Sequence, residues 1–253
     1  MAKPNLNALN GLFLWGILSP SQLALLTGVS LSLCSRQLHN LAKVGLATDL
    51  GRACLSPSDI LYGRYFRVAS SQKVRNLIGS RPYPFGMGRG RIGADKLVSF
   101  QCGLSVPRHS LFSVQCAGWI LDFLAQKFPE KRAVGFPESY LRRKLGWHHH
   151  MGPARSVSNP KFTMVPDSLV AFDGQELKIE SEITPKSPKA YKELFFAARP
   201  ADDSIFYIYP DAQTMEKVVP MIPDGYRVCH CVFGDDLALL SSLFRLFPSL
   251  SAR

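Results

Sequence analysis

The chain contains no CxxC pair, no apolar run long enough to span a bilayer, and few acidic residues, with 19 Asp and Glu against 30 Lys and Arg. Each shortage excludes something. The six cysteines, at 34, 54, 102, 116, 229 and 231, follow no stapled pattern, and 253 residues bury enough apolar surface to fold without covalent ties, so a disulfide scaffold is excluded. Cys229 and Cys231 have no second pair to complete a zinc site and read as buried strand residues. The apolar stretch Leu12–Leu18 is too short for a membrane span, and MAKPNLNALN lacks the form of a signal peptide. These features point to a reduced, cytoplasmic setting with no membrane insertion. At 46% hydrophobic and 19% charged, the composition is globular and argues against wholesale disorder.

What is abundant is positive charge, and it is unevenly spread. The net charge is +11, yet residues 1–100 hold twelve Lys and Arg against three Asp and Glu, while residues 101–253 hold eighteen against sixteen. A local excess of that size favours a polyanionic partner for the first part. The second part needs a different explanation.

Residues 6–18 have helical apolar spacing, with Leu9, Leu12, Phe13 and Ile17 roughly on one side. A second helix restarts at Ser19, an N-cap followed by Pro20 with Gln22 placed for a capping box, and stops at Gly28. A third covers Leu31–Val44. It buries Leu33, Leu38 and Leu41, exposes Ser32, Ser35, Arg36, His39, Asn40 and Lys43, and ends at Gly45. Three short helices, the last two joined by a tight turn and the last polar and basic, are the helix-turn-helix arrangement whose final helix enters the major groove. Leu46–Val68 would add a two-stranded wing with Arg52, Arg64 and Arg67 reaching phosphates. The plainer alternative is three packed helices with Arg36 and Lys43 as solvated surface.

The segment RPYPFGMGRGRIG, 81–93, reads as a loop or linker, in which Arg89 and Arg91 either follow a DNA backbone or keep the segment soluble. Its glycines precede no convincing strand–helix unit, so it is not a nucleotide loop. The expected division is a winged helix over 1–80, a basic linker over 81–100 and a second domain over 101–253. There the pattern gives a short element at 109–115, helices at 117–128 and 138–145, and strands near 162–172 and 176–183. A helix at 187–198, a strand at 204–209, a helix at 211–221, a strand at 225–232 and a helix at 235–247 follow. This alternation predicts an α/β or α+β domain with helices flanking a mixed sheet.

The sharpest chemical feature is Val165-Pro166-Asp167, then a hairpin turn at Asp173–Gly174, then Ile179-Glu180-Ser181-Glu182. Alternate strand residues share a face, so Glu180 and Glu182 point the same way, and the hairpin brings Asp167 beside them. Converging carboxylates repel one another unless a cation compensates, and a Mg²⁺ or Mn²⁺ site built from oxygens is the standard compensation. Asp167, Glu180 and Glu182 are therefore the candidate metal ligands, with Glu182 as third ligand or as base for an activated water. The plainer alternative is a strand with charged edge residues and Asp167 as a turn cap. His148–His150 are adjacent imidazoles that do not converge easily on one ion.

Pro166-Asp167, Glu180-Ser181-Glu182 and the following Lys186 and Lys189 resemble the PD-(D/E)xK nuclease superfamily. With the N-terminal helices, RHSL at 108–111 and KFTMVPDSLVAFDGQELKIESEITPKSPKAYKEL, the chain more closely resembles the replication-relaxation proteins and MobC-type plasmid relaxases over about residues 10–200. The resemblance implies a restriction-endonuclease-like mixed sheet behind a winged helix, a divalent ion, and His109, Glu138, Asp167, Glu180, Glu182 and a lysine as functional positions. Glu182 stands where such nucleases usually carry lysine, and Lys186 or Lys189 would restore the cation, with Lys189 slightly favoured. Glu138 after Pro137 also fits a helix first turn, and His109 also fits a structural role.

The expected function is metal-dependent nicking of one DNA strand at a plasmid transfer origin by activated water, with a relaxosome accessory protein and a transfer coupling protein as further partners. The alternatives are a non-catalytic replication or relaxosome accessory protein or regulator, and a dimeric double-strand nuclease. Tyr62, Tyr65, Tyr83, Tyr140 and Tyr191 keep a phosphotyrosyl route open.

Overall fold

The computed structural model describes residues 6–54, 61–69, 74, 108–138, 141, 166–196 and 204–248. The linker with Arg89 and Arg91, the basic helix expected beyond Glu138 and His148–His150 lie outside them. The chain forms two compact units, Met1–Gly118 and Trp119–Arg253.

In the first unit, α1 (Leu6–Trp15) leads into a two-residue strand β1 (Ile17–Leu18), then α2 (Pro20–Thr27), α3 (Leu31–Lys43), β2 (Ala47–Cys54) and β3 (Tyr62–Val68). The first helix is shorter than its apolar spacing suggests because Ile17 and Leu18 pair with Arg67 and Phe66 of β3, giving a three-stranded antiparallel sheet in the order β1-β3-β2. The restart at Ser19 is a capping box: its hydroxyl accepts from the Gln22 backbone N–H at 3.2 Å, and Gln22 Oε1 accepts from the Ser19 N–H at 3.0 Å. The Gln22 amide also donates to the Leu111 carbonyl at 3.0 Å. On α3, Cys34, Leu38 and Leu41 enter the core, where they meet Leu12, Leu23 and Phe66. Cys34 thus takes the place expected for Leu33, which is only half-buried.

Helix α4 (Arg108–Lys127) is continuous, not the two shorter elements the sequence pattern suggests. The division between the units falls inside it, at Gly118. Gly118 is where α4 passes close to α2, since a Cβ added there would lie 2.9 Å from Leu25 Cβ. Gly118→Ala is expected to lower the melting temperature, because overpacking of about 1–3 kcal/mol opposes the roughly 1 kcal/mol that alanine adds to a helix. A thermal melt at or above that of the wild type would contradict this packing.

The second unit is an α+β fold with helices flanking a mixed five-stranded sheet. Its strands are β4 (Ala133–Pro137), β5 (Ser168–Phe172), β6 (Gln175–Ser181), β7 (Ser204–Tyr209) and β8 (Arg227–Val232), paired in that order. The pairs β4–β5 and β5–β6 are antiparallel, and β6–β7 and β7–β8 are parallel. The β5–β6 hairpin turns at Asp173 and Gly174, both at positive φ, 51° and 76°, which is what a tight two-residue turn of the primed type requires. Parallel pairing needs crossovers, and α5 (Pro188–Phe196) and α6 (Ala212–Val218) supply them.

Helices α5 and α6 cover one sheet face, where Tyr191, Phe195 and Val218 pack on Ile205, Tyr207 and Tyr209. On the other, α7 (Asp236–Leu246) brings Ser242 against Cys229 and Cys231. The Trp119 indole donates to Asp236 at 2.8 Å. Cys34, Cys116, Cys229 and Cys231 are buried and form no disulfide among the described residues. Among the described residues no helix is long and apolar enough to cross a membrane.

Candidate functional site

Strand register brings the acidic residues together. Pro137 pairs with Ser168, and Ser168 pairs with Ile179. One step further along both ladders, Glu138, Asp167 and Glu180 stand abreast. Two hydrogen bonds tie this step: Glu138 N–H donates to the Asp167 carbonyl at 2.9 Å, and Ser181 N–H donates to Asp167 Oδ2 at 2.8 Å. The same row continues through the parallel strands, where Glu180 pairs with Tyr207 and Tyr207 with His230. Paired residues in a sheet project to one face, so Glu180, Tyr207 and His230 form one polar row, and Glu138, just after β4, and Asp167, just before β5, lie near Glu180.

Glu180 is the anomaly in that row. It is 6% exposed, and its Oε1 has no hydrogen-bond partner. Its carboxyl is held well above the ordinary carboxylate range, first by burial, then by the neighbouring Asp167 charge, with Glu182 and Glu138 adding and Lys186 opposing. Tyr207, beside it on β7, also has a buried hydroxyl without a partner, and its phenol is raised by burial and by Glu180. An ionised carboxylate in such a place requires a compensating cation; without one the group takes up a proton.

Glu182 lies on the same face but is engaged differently. Its Oε2 accepts from the Lys186 ammonium and, at 3.0 Å, from the Tyr191 hydroxyl. The two lysines are placed differently. Lys186 pairs with Glu182 and acts on Glu180, whereas Lys189, slightly favoured on sequence, has an 87% exposed side chain and lies 3.9 Å from Glu193.

Among the described residues no three His, Cys, Asp or Glu side chains form a group that could hold a metal ion. That finding and the carboxylate row are compatible for one kind of ion. Mg²⁺ is commonly held by one or two protein carboxylates, with waters and substrate phosphates completing its shell. Asp167 and the unpartnered oxygen of Glu180 fit that donor set, and Glu138 stands next in line. Glu182 accepts from Lys186 and Tyr191 through Oε2.

His230 closes the row. Its Nδ1 is 2.8 Å from the Tyr209 hydroxyl, with which it shares a hydrogen bond, and burial lowers its pKa to about 4, so near neutral pH it is uncharged. His109 is the second residue of α4, half-buried and in the first unit.

The first unit carries a basic face of its own. Ser32, Arg36, Asn40 and Lys43 are exposed on α3, and Ser35 is half-buried. His39 is anchored: its Nδ1 donates to the Ser35 carbonyl at 2.8 Å and its ring meets Phe66 edge-on at 5.1 Å. On the hairpin, Arg52 is exposed and Arg67 half-buried. Arg64 makes a two-pronged bond to Asp49, Nε to Oδ1 at 3.0 Å and to Oδ2 at 2.8 Å. The guanidinium lowers the Asp49 pKa, and Arg64 therefore braces the hairpin.

Tyr191, Tyr207 and His230 were not recognised from sequence as neighbours of the carboxylates. The alternation Ile205-Tyr207-Tyr209 was a signal that tyrosines would share a face, but only the parallel register shows whose neighbours they are. No protein family, curated protein or solved structure matches the chain.

Proposed function

We propose that the chain is a divalent-metal-dependent DNA-nicking protein, with a winged helix-turn-helix reader in the first unit and a restriction-endonuclease-like centre in the second. The observation carrying this reading is Glu180, buried with an unpartnered oxygen abreast of Asp167. Such an arrangement is costly for a fold and useful for holding a cation. The order of three helices, the last with an exposed basic face, and a hairpin bearing Arg52 supports the reader. The choice of a plasmid transfer origin as substrate rests on the resemblance to MobC-type relaxases.

In this reading Asp167 and Glu180 would hold Mg²⁺ or Mn²⁺, with waters and substrate phosphate oxygens completing the shell. When bound, the ion supplies an acidified water and charge neutralisation at the phosphate. Asp167 is oriented by the Ser181 N–H, and Lys186 offers the phosphate a positive charge from the side of Glu182. Arg36 and Lys43 supply phosphate affinity, and Ser32 and Asn40 face base edges.

A second reading, a non-catalytic DNA-binding accessory protein, is favoured by the absence of a three-residue ligand group among the described residues. Supercoiled plasmid carrying candidate origin DNA separates the two. With Mg²⁺ or Mn²⁺, nicking by the wild type and its loss in Asp167→Ala support the metal centre; intact plasmid with both proteins, but retained DNA binding, supports the accessory reading. A protein-linked DNA end that disappears only with protease would instead indicate tyrosine chemistry.

A further inference from the structure

Where β6 leaves the sheet, the chain runs Glu182-Ile183-Thr184-Pro185-Lys186-Ser187 into α5. Three side chains gather there. The Tyr191 hydroxyl donates to Glu182 Oε2 at 3.0 Å and accepts the Lys186 backbone N–H at 3.2 Å. The Lys186 ammonium pairs with the same carboxylate oxygen and lies 5.7 Å from the centre of the Tyr191 ring. One phenol therefore contacts both partners of the ion pair and the backbone of the lysine.

The components differ in how firmly they are held. Tyr191 is fully buried, packed with Phe195 and Tyr207, and its backbone N–H bonds the Ser187 carbonyl at 3.2 Å. Glu182 has a side chain 4% exposed, while that of Lys186 is 41% exposed. A long, half-solvated lysine loses considerable rotamer freedom when fixed, so its orientation depends on the rigid partners beneath it.

We propose that Tyr191 is a positioning residue, whose hydroxyl orients Glu182 and holds the Lys186 ammonium beside the Asp167 and Glu180 carboxylates. The catalytic consequence rests on the nuclease reading; the clamp itself does not. The hydroxyl has work to do beyond packing, because the ring alone would satisfy the aromatic core. The hydroxyl has one proton to donate, and it goes to Glu182 Oε2. Misplacing a charged group by about 1 Å costs roughly a hundredfold in rate, which makes Lys186 sensitive to this one bond.

The test is Tyr191→Phe in the full chain, which keeps the ring and removes only the hydroxyl, with Glu182→Gln as a second variant and thermal melts as a folding control. Acetylation rates of Lys186 and Lys189, read by mass spectrometry, report the clamp without requiring activity. Lys186 is expected to react more slowly than Lys189 in the wild type and to accelerate about threefold or more in both variants, with Lys189 unchanged. Nicking by Tyr191→Phe should fall about ten- to a hundredfold, with no further fall when the substitution is added to Lys186→Met. An unchanged Lys186 rate in both folded variants overturns the clamp. An accelerated Lys186 with wild-type nicking overturns its positioning role. Acceleration in a protein whose wild type never nicks DNA supports the clamp and removes the nuclease reading.

Discussion

Glu180→Gln is expected to raise the melting temperature of the metal-free protein while removing DNA cleavage. Glutamine keeps the shape of the side chain and takes away the charge that burial and Asp167 oppose. The sign follows from linkage. A carboxyl whose folded pKa lies above its unfolded value of about 4.3 binds protons more tightly in the folded state. Its stabilising contribution is present below that value and is lost as pH rises through the folded pKa. The variant should therefore exceed the wild type in stability at pH 8, and the two should converge below about pH 4. A gain of about 1–3 kcal/mol, the scale of an uncompensated buried polar group, corresponds to roughly 2–4 °C per kcal/mol in a chain of this size. Under the proposed nuclease reading cleavage should fall about a thousandfold or more, since losing a metal ligand would remove several kcal/mol of transition-state stabilisation. Opposite signs for stability and activity distinguish this outcome from simple damage. A lower melting temperature for the variant at pH 8 would show that Glu180 is an ordinary structural carboxylate.

Arg36→Ala combined with Lys43→Ala should weaken DNA binding without disturbing the fold. Both side chains are exposed on α3, and surface substitutions of this kind change stability by about 0.5 kcal/mol or less. If each touches a phosphate, its loss reduces the slope of log affinity against log salt by about 0.9, so the pair reduces it by nearly 2. Affinity measured by fluorescence anisotropy across a salt series reads this directly. An unchanged slope would remove α3 from the DNA interface. Arg64→Ala differs in kind: it breaks the bond to Asp49 and should alter hairpin stability more than the salt slope.

The local features of the fold were legible because they depend on neighbours in sequence. Ser19, Pro20 and Gln22 announced the second helix, Gly28 its end, and Asp173–Gly174 the hairpin; the strand at 204–209 lies where its pattern put it. Glu180 and Glu182 on one face followed from the period of a strand. What sequence could not reveal were pairings over distance. Nothing near Gly118 in the sequence marks the approach of Leu25 to it. Arg64 reads as a phosphate contact until the β2–β3 register brings Asp49 to it. Spacing slightly favours Lys189 over Lys186, and only the course of the chain after β6 turns Lys186 toward Glu182 and Lys189 to solvent. The polar row through Tyr207 and His230 depends on parallel pairings created by two crossovers.

The central claim is that Asp167 and Glu180 exist to hold a cation. The most direct measurement is a Mn²⁺ titration of the full-length protein followed by electron paramagnetic resonance, comparing the wild type with Asp167→Ala and Lys189→Ala. Saturable Mn²⁺ binding by the wild type and Lys189→Ala, lost in Asp167→Ala, is the predicted result. No saturable binding by the wild type, or binding that survives in Asp167→Ala, would contradict it.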